Sequence, residues 1–124
     1  MNQLQKVLDT QTELQNRLGN NIKKMTEQQK TAYVKNNVFF VTEELHEMTR
    51  ELPYVKEWKD YSQLSGEDIA RRKELAQEEF IDVFTFLMNI ALTLELTADE
   101  IYDLNFQKNK VNHERQDNGY VEGK

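Results

Sequence analysis

Apolar residues recur along the chain at helical spacing in four stretches, divided by short polar breaks. From about Asn2 to Arg17, the positions Leu4, Val7, Leu8, Leu14 and Leu18 fall on one stripe, and Gly19 with Asn20 supplies a C-terminal stop. A polar connector, NIKKMTEQQK, leads into a second helix from about Thr26 to Leu52. It carries Tyr33, Val34, Val38, Val41, Leu45 and Met48 and ends at Pro53, which cannot continue a helix. Residues 54–64 are aromatic and charged without a period and read as a loop with one helical turn. Ser65, with Asp68 three residues on, is a variant capping box that opens a third helix running to about Leu96. Thr97 with Glu100 repeats the signature and opens a fourth to about Gln116. No strand alternation or internal repeat interrupts this pattern. The expectation is an all-α antiparallel bundle of about four helices, one domain over residues 1–117 with a short tail at 118–124.

The third helix is unusual in its distribution of apolar residues. From Phe80 to Leu94 it reads FIDVFTFLMNIALTL, apolar on nearly every side. Such a helix belongs at the centre of more than one layer. Three partner helices in a chain of 124 residues cover it only in part. A homodimer or a dimer of dimers, with this helix near the seam, is therefore expected; the alternative is the central helix of a monomer.

Composition narrows the function. There is no cysteine, which excludes disulfides and thiolate metal sites. The net charge of −6 argues against general affinity for nucleic acid or an anionic membrane. It leaves room for a single nucleotide, because carboxylates hold phosphates through a bridging cation. The N-terminal residues give no uninterrupted apolar run of signal-peptide type. The longest uncharged run, Val83 to Leu94, is far short of the roughly 20 residues that span a bilayer. A soluble, cytoplasmic protein is expected.

Charge is costly within the apolar helices, yet two acidic pairs occur there. Glu44 and Glu47 lie three apart in VTEELHEM, and Glu79 and Asp82 lie three apart in QEEFIDVF. Positions i and i+3 share a helix face, so each pair sets two carboxylates side by side. Repulsion and desolvation penalise that arrangement, and a cation relieves both. Phe80, Ile81, Val83 and Phe84 around Asp82 suggest that it points inward. Four carboxylates from two helices form a hard, all-oxygen set suited to Mg²⁺ or Mn²⁺. A single E-x-x-E is usually a solvated face, but two pairs, one embedded in the most apolar helix, favour a metal site.

Other chemistries find less support. Glu43-Glu44-Leu45-His46 contains one E-x-x-H unit of the di-iron type, but the second unit such sites need is missing. Neither a nucleophile elbow nor a phosphate-binding glycine loop is present. In the fourth helix Lys108, Asn112 and Arg115 share one face, an ammonium, an amide and a guanidinium able to hold the oxygens of a polyphosphate. The simpler reading is a solvated last turn whose cations complement the helix dipole.

Taken together, Glu44-x-x-Glu47 and Glu79-x-x-Asp82 resemble the signature of the all-α NTP pyrophosphohydrolases, the superfamily of MazG-like enzymes and dimeric dUTPases. Three further features resemble the dimeric dUTPase branch: LDTQTELQNR in the first helix, VKEWK after Pro53, and the closing KNKVNHERQDNGY. In the first, Gln11, with Gln15 or Asn16, matches amides that line the base pocket; in the second, Trp58 matches a tryptophan that follows the first acidic pair. The third carries Lys108, Asn109, Asn112, Arg115, Gln116, Gly119 and Tyr120.

The resemblance implies Mg²⁺-dependent hydrolysis of a deoxynucleoside triphosphate, dUTP first among them, to the monophosphate and pyrophosphate. Glu44, Glu47, Glu79 and Asp82 would hold metal, with Glu47, or equally Glu44, orienting the attacking water. Lys108, Asn112 and Arg115 would bind phosphates. Gln11 and Gln15 would meet the base, and Trp58 and Tyr120 would contact the nucleotide. The chain is shorter than typical members of that branch, so the resemblance speaks to the bond cleaved more than to the base chosen. A broader MazG-like dNTP pyrophosphohydrolase is the alternative. A non-enzymatic helical interaction module is the competing class, resting on charge-rich faces and a mean hydropathy of −0.82. No sustained heptad supports it, and a scaffold has no use for Asp82 in an apolar helix.

Overall fold

Each helix begins where a side chain can replace a missing backbone partner. The computed structural model describes residues 2–52 and 64–119. Within them lie α1 (Gln3–Arg17), a 3₁₀ turn (Ile22–Lys24), α2 (Glu27–Glu51), α3 (Gly66–Thr93) and α4 (Ala98–Asp117), with no strand among the described residues. Asn2 caps α1 through its side-chain oxygen, which accepts from the backbone N–H groups of Leu4 and Gln5. The boxes expected at Ser65–Asp68 and Thr97–Glu100 both form, and Thr26 with Gln29 makes a third. The ends are as specific. Gly19 adopts φ 88° after α1, and the N–H of Asn20 reaches back to the Gln15 carbonyl at 2.8 Å. The same closure ends α3, where Leu96 N–H reaches Ala91 O at 3.0 Å, but there the left-handed residue is Glu95 at φ 58°.

The helices α2 and α3 form the main pair and run antiparallel, since Asn37 meets Asn89 while Glu44 meets Glu79 and Asp82. α1 lies against α3. Leu8, Ala91 and Ala98 form the tightest cluster, with Leu4, Met88, Leu92, Leu96 and Ile101 around it. α4 turns away from α3 at 102° and packs its first turn on α1. Beyond Ile101 every described residue of α4 is exposed. No single described helix is long and apolar enough to cross a membrane.

The all-α expectation holds, but the stripes that predicted it are buried only in part. In α1 the buried residues are Leu8, Gln11 and Gln15, while Val7, Leu14 and Leu18 are exposed. In α2 they are Tyr33 and Asn37, while Val38 and Leu45 are exposed. The interior of the single chain is thus lined with amides, and much of its apolar surface lies outside. Phe39, Phe80, Ile81, Tyr102 and Phe106 are each more than half exposed.

Glu95 holds a conformation that costs an L-residue about 1–2 kcal/mol and glycine much less. After allowing for glycine's greater freedom when unfolded, Glu95→Gly is expected to stabilise the fold by about 0.5–1 kcal/mol. Chemical denaturation would measure this, and a destabilised variant would contradict it.

Candidate metal centre

Halfway along the α2–α3 pair, Glu44 reaches across to Glu79 and Asp82, and one carboxylate oxygen from each lies within 4.8 Å of the others. α3 sets Glu79 and Asp82 on one face by their i, i+3 spacing, and α2 supplies Glu44 from the facing helix. The Oε2 atoms of Glu44 and Glu79 are shut off from solvent and, with both carboxyls ionised, have no hydrogen-bond partner; only a proton shared between the two would bond them. Such a group forfeits its hydration without compensation. The Glu44 carboxyl is pushed up to about 7, first by its hydrogen bond with Glu79, then by burial, then by the charges of Glu47, Glu79 and Asp82. The site as built holds more negative charge than its surroundings tolerate.

A divalent cation with hard oxygen ligands fits these residues: it would satisfy both orphaned oxygens and offset the repulsion. Among the described residues this is the one trio of ligating side chains close enough to share an ion. Glu47 stands outside the triangle and is exposed, although its charge is felt by Glu44. The burial expected for Asp82 is not found: its carboxylate converges with those of Glu44 and Glu79 but the residue is exposed, and of the neighbours that suggested burial Val83 is buried while Phe80 and Ile81 are uncovered. His46 is also exposed and lies outside the trio.

Further along the same seam lies a second polar layer, made of amides. Gln11 Nε2 donates to Asn89 Oδ1 at 2.8 Å, and Asn89 Nδ2 donates to Asn37 Oδ1 at 2.9 Å. Asn37 Nδ2 in turn donates to the backbone carbonyl of Tyr33 at 2.9 Å. Asn37 precedes Glu44 by seven residues and Asn89 follows Asp82 by seven, so both layers share a helix face. Their separation is roughly 10 Å along the helix axes. Between them Phe40 and Phe86 pack with ring centroids 5.2 Å apart. Carboxylates, aromatic rings and amides therefore succeed one another along one seam.

The remaining candidates fall elsewhere. Gln15 is buried, and its Oε1 accepts from Tyr33 Oη at 2.8 Å and from Asn20 Nδ2 at 3.1 Å, which makes it a brace within the fold. Lys108, Asn112 and Arg115 ride on the exposed part of α4, which leaves α3 at its far end from the carboxylates. Trp58 and Tyr120, and with them the loop reading of residues 54–63, lie outside the described residues. A groove of about 640 Å³ lies between α1, the 3₁₀ turn and the α3–α4 turn. Its lining includes none of the trio, and the converging carboxylates outweigh its size as a marker of chemistry. Sequence reasoning missed Asn37, Asn89, Phe40 and Phe86. The available signal was a lone amide in the apolar run FLMNIALTL, one heptad from Asp82, mirrored by Asn37 one heptad from Glu44.

An acid whose native pKa is raised stabilises the fold while protonated. Between 4.5, its ordinary value, and about 7, native Glu44 keeps a proton that the unfolded chain has lost. The metal-free protein is thus expected to lose stability as pH rises through that window and to melt lower at about pH 8 than at about pH 5, apart from the other titrating groups. Mg²⁺ should restore the loss at the higher pH. Glu44→Gln should flatten the difference, and a variant with an unchanged pH profile would show that the repulsion is absent.

Comparison with known proteins bears on this site. The described family of dUTPases matches over residues 3–98 and 73–120. A dCTP pyrophosphatase of Enterobacteria phage T4 is 50% identical over 42 residues, a stretch that is 34% of this chain but only 25% of that protein. A dCTP pyrophosphatase of Enterobacteria phage LZ5 is 28% identical over 141 aligned positions, covering 94% of this chain and 82% of that protein. No solved structure matches. The two family segments together take in nearly all of the sequence, and the chain belongs to the dUTPase family in its all-α form.

Proposed function

We propose that the protein hydrolyses a deoxynucleoside triphosphate, dUTP first among them, to the monophosphate and pyrophosphate with Mg²⁺, or Mn²⁺ in its place. The observation that carries this reading is the carboxylate trio with two orphaned oxygens, set on the same seam as a buried amide chain. Family membership and the dCTP pyrophosphatases among the relatives support it. Those relatives also favour a second reading of the same chemistry, in which dCTP or several dNTPs are accepted.

Glu44, Glu79 and Asp82 would hold the metal, which when bound draws charge from the phosphate oxygens and lets an anionic substrate approach the carboxylates. Glu47, exposed beside the trio, orients a water and takes its proton as the water oxygen bonds to phosphorus. The bond between the α- and β-phosphoryl groups breaks in line, and pyrophosphate leaves. Phe40 and Phe86 offer apolar surface to the sugar or base, and Gln11 meets the base edge.

The protein acts as a homodimer or a dimer of dimers in this reading. Support comes from the uncovered Phe80 and Ile81 on α3 and from the exposed α4 with its stacked Tyr102 and Phe106. Lys108, Asn112 and Arg115 of one copy then serve phosphates held by the carboxylates of the other.

Pyrophosphate release measured across dUTP, dCTP, dTTP, dATP, dGTP and UTP tests the activity, and no release from any of them would overturn it. Glu79→Gln and Asp82→Asn should each slow hydrolysis by at least about a hundredfold, while the metal-free fold melts no lower than wild type. A helical interaction module would show neither activity nor a rise in melting point with Mg²⁺. Arg115→Ala should lose about ten- to a hundredfold on every accepted nucleotide alike. Unfolded and refolded together, the Glu79→Gln and Arg115→Ala chains should recover about a quarter of wild-type activity, since half the dimers would each carry one intact site. No recovery would place the α4 cations and the carboxylates of each site on one chain.

A further inference from the structure

The three amides between α1, α3 and α2 could each face either way in isolation, because an amide offers a donor at one end and an acceptor at the other. Their orientation is decided at the far end of the chain. The backbone carbonyl of Tyr33 can only accept, so Asn37 must turn its Nδ2 toward it, at 2.9 Å. Asn37 Oδ1 then faces Asn89, which must answer with Nδ2, at 2.9 Å. Asn89 Oδ1 is left to face Gln11, which must answer with Nε2, at 2.8 Å. Turning any one amide would set oxygen against oxygen, and Asn37 and Asn89, each 3% exposed, have no solvent to absorb the mismatch. Tyr33 is itself held, its Oη donating to Gln15 Oε1 at 2.8 Å.

We propose that this chain fixes Gln11 as a hydrogen-bond acceptor, so that the base it meets must present an N–H donor, such as the N3–H of uracil. Asn89 and Asn37 are then positioning residues for base selection, acting through Gln11 without touching the nucleotide. This rests on the proposed reading of the site as one for nucleoside triphosphates. Gln11 is the outer member of the chain and the most exposed of the three, at 9%. It projects from α1 and is bonded to Asn89, which stands on the seam that also carries the carboxylates. The separation of roughly 10 Å between the layers is a span that a nucleotide bridges from phosphate to base edge.

Two substitutions at Asn89 separate a positioning role from a structural one. Both Asn89→Asp and Asn89→Leu remove the bond to Asn37 made by the native Nδ2, but only aspartate keeps an oxygen for Gln11 Nε2. The readout is kcat/KM for dUTP against its N3-methyl derivative, which lacks the donor. Wild type should prefer dUTP by at least about tenfold. Asn89→Asp should keep that ratio within about threefold. Asn89→Leu should lower it about tenfold, through loss on dUTP with little change on the methylated substrate. Equal ratios in the two variants, or a folded Asn89→Leu protein with the wild-type ratio, would overturn the inference. Should Asn89→Leu fail to fold, labelled wild-type protein still decides. On adding dUMP, the Gln11 side-chain carbonyl resonance should shift while its amide protons stay protected from exchange. Amide protons that shift onto the ligand, or exchange freely, would overturn it. A wild-type protein that hydrolyses no nucleotide would instead remove the proposed function, before any variant is compared.

Discussion

Everything specific about this molecule depends on how α2 and α3 tolerate polar groups along the line where they meet. Two antiparallel helices would ordinarily fill such a seam with leucine and valine. Here Glu44 faces Glu79 and Asp82 at one level and Asn37 faces Asn89 at another. The amide level is self-satisfied: each donor finds an acceptor and the chain ends on a backbone carbonyl. The carboxylate level is not, since like charges converge and two oxygens have no partner. One level fixes the register of the pair, and the other leaves an electrostatic deficit that a cation can fill.

The contrast explains how so small a chain can hold a site at all. Buried amides with complete partners cost little and leave few alternative arrangements of the helices. That rigidity keeps the carboxylates together in spite of their repulsion. Binding machinery on a rigid pair of helices is more exact than machinery on loops. The aromatic pair Phe40–Phe86 completes the seam between the two levels, so one uninterrupted surface offers charge, a ring face and a hydrogen-bonding edge.

The outer surface is governed by a different constraint. α3 is apolar on more faces than α1 and α2 can cover, and α4 turns away instead of closing over it. Phe80, Ile81, Tyr102 and Phe106 thus remain in contact with water in a single chain, which is the unfavourable state for large apolar groups. The expected second copy and the exposure of Lys108, Asn112 and Arg115 are two aspects of this one geometry.

Local chemistry settled the elements from sequence alone. Ser65 with Asp68 and Thr97 with Glu100 start helices by satisfying nearby N–H groups, and Gly19 ends one by tolerating positive φ. None of these needs a distant partner, so helix number and bounds were legible within a residue or a few. The acidic pairs were legible too, because i, i+3 spacing puts Glu79 beside Asp82 in any α-helix. Which face of each helix turns inward was not. Of the stripe Leu4, Val7, Leu8, Leu14 and Leu18, Leu8 is buried, but Val7, Leu14 and Leu18 gave way to Gln11 and Gln15, since burial depends on what the neighbouring helix offers, and α3 offered Asn89 as a hydrogen-bond partner. Asp82 likewise stays exposed although Val83 beside it is buried, since adjacent positions on a helix face different directions. Periodicity within a segment records how a helix winds; only the tertiary structure decides which polar groups find partners across it, because those bonds join residues as far apart in sequence as Gln11 and Asn89.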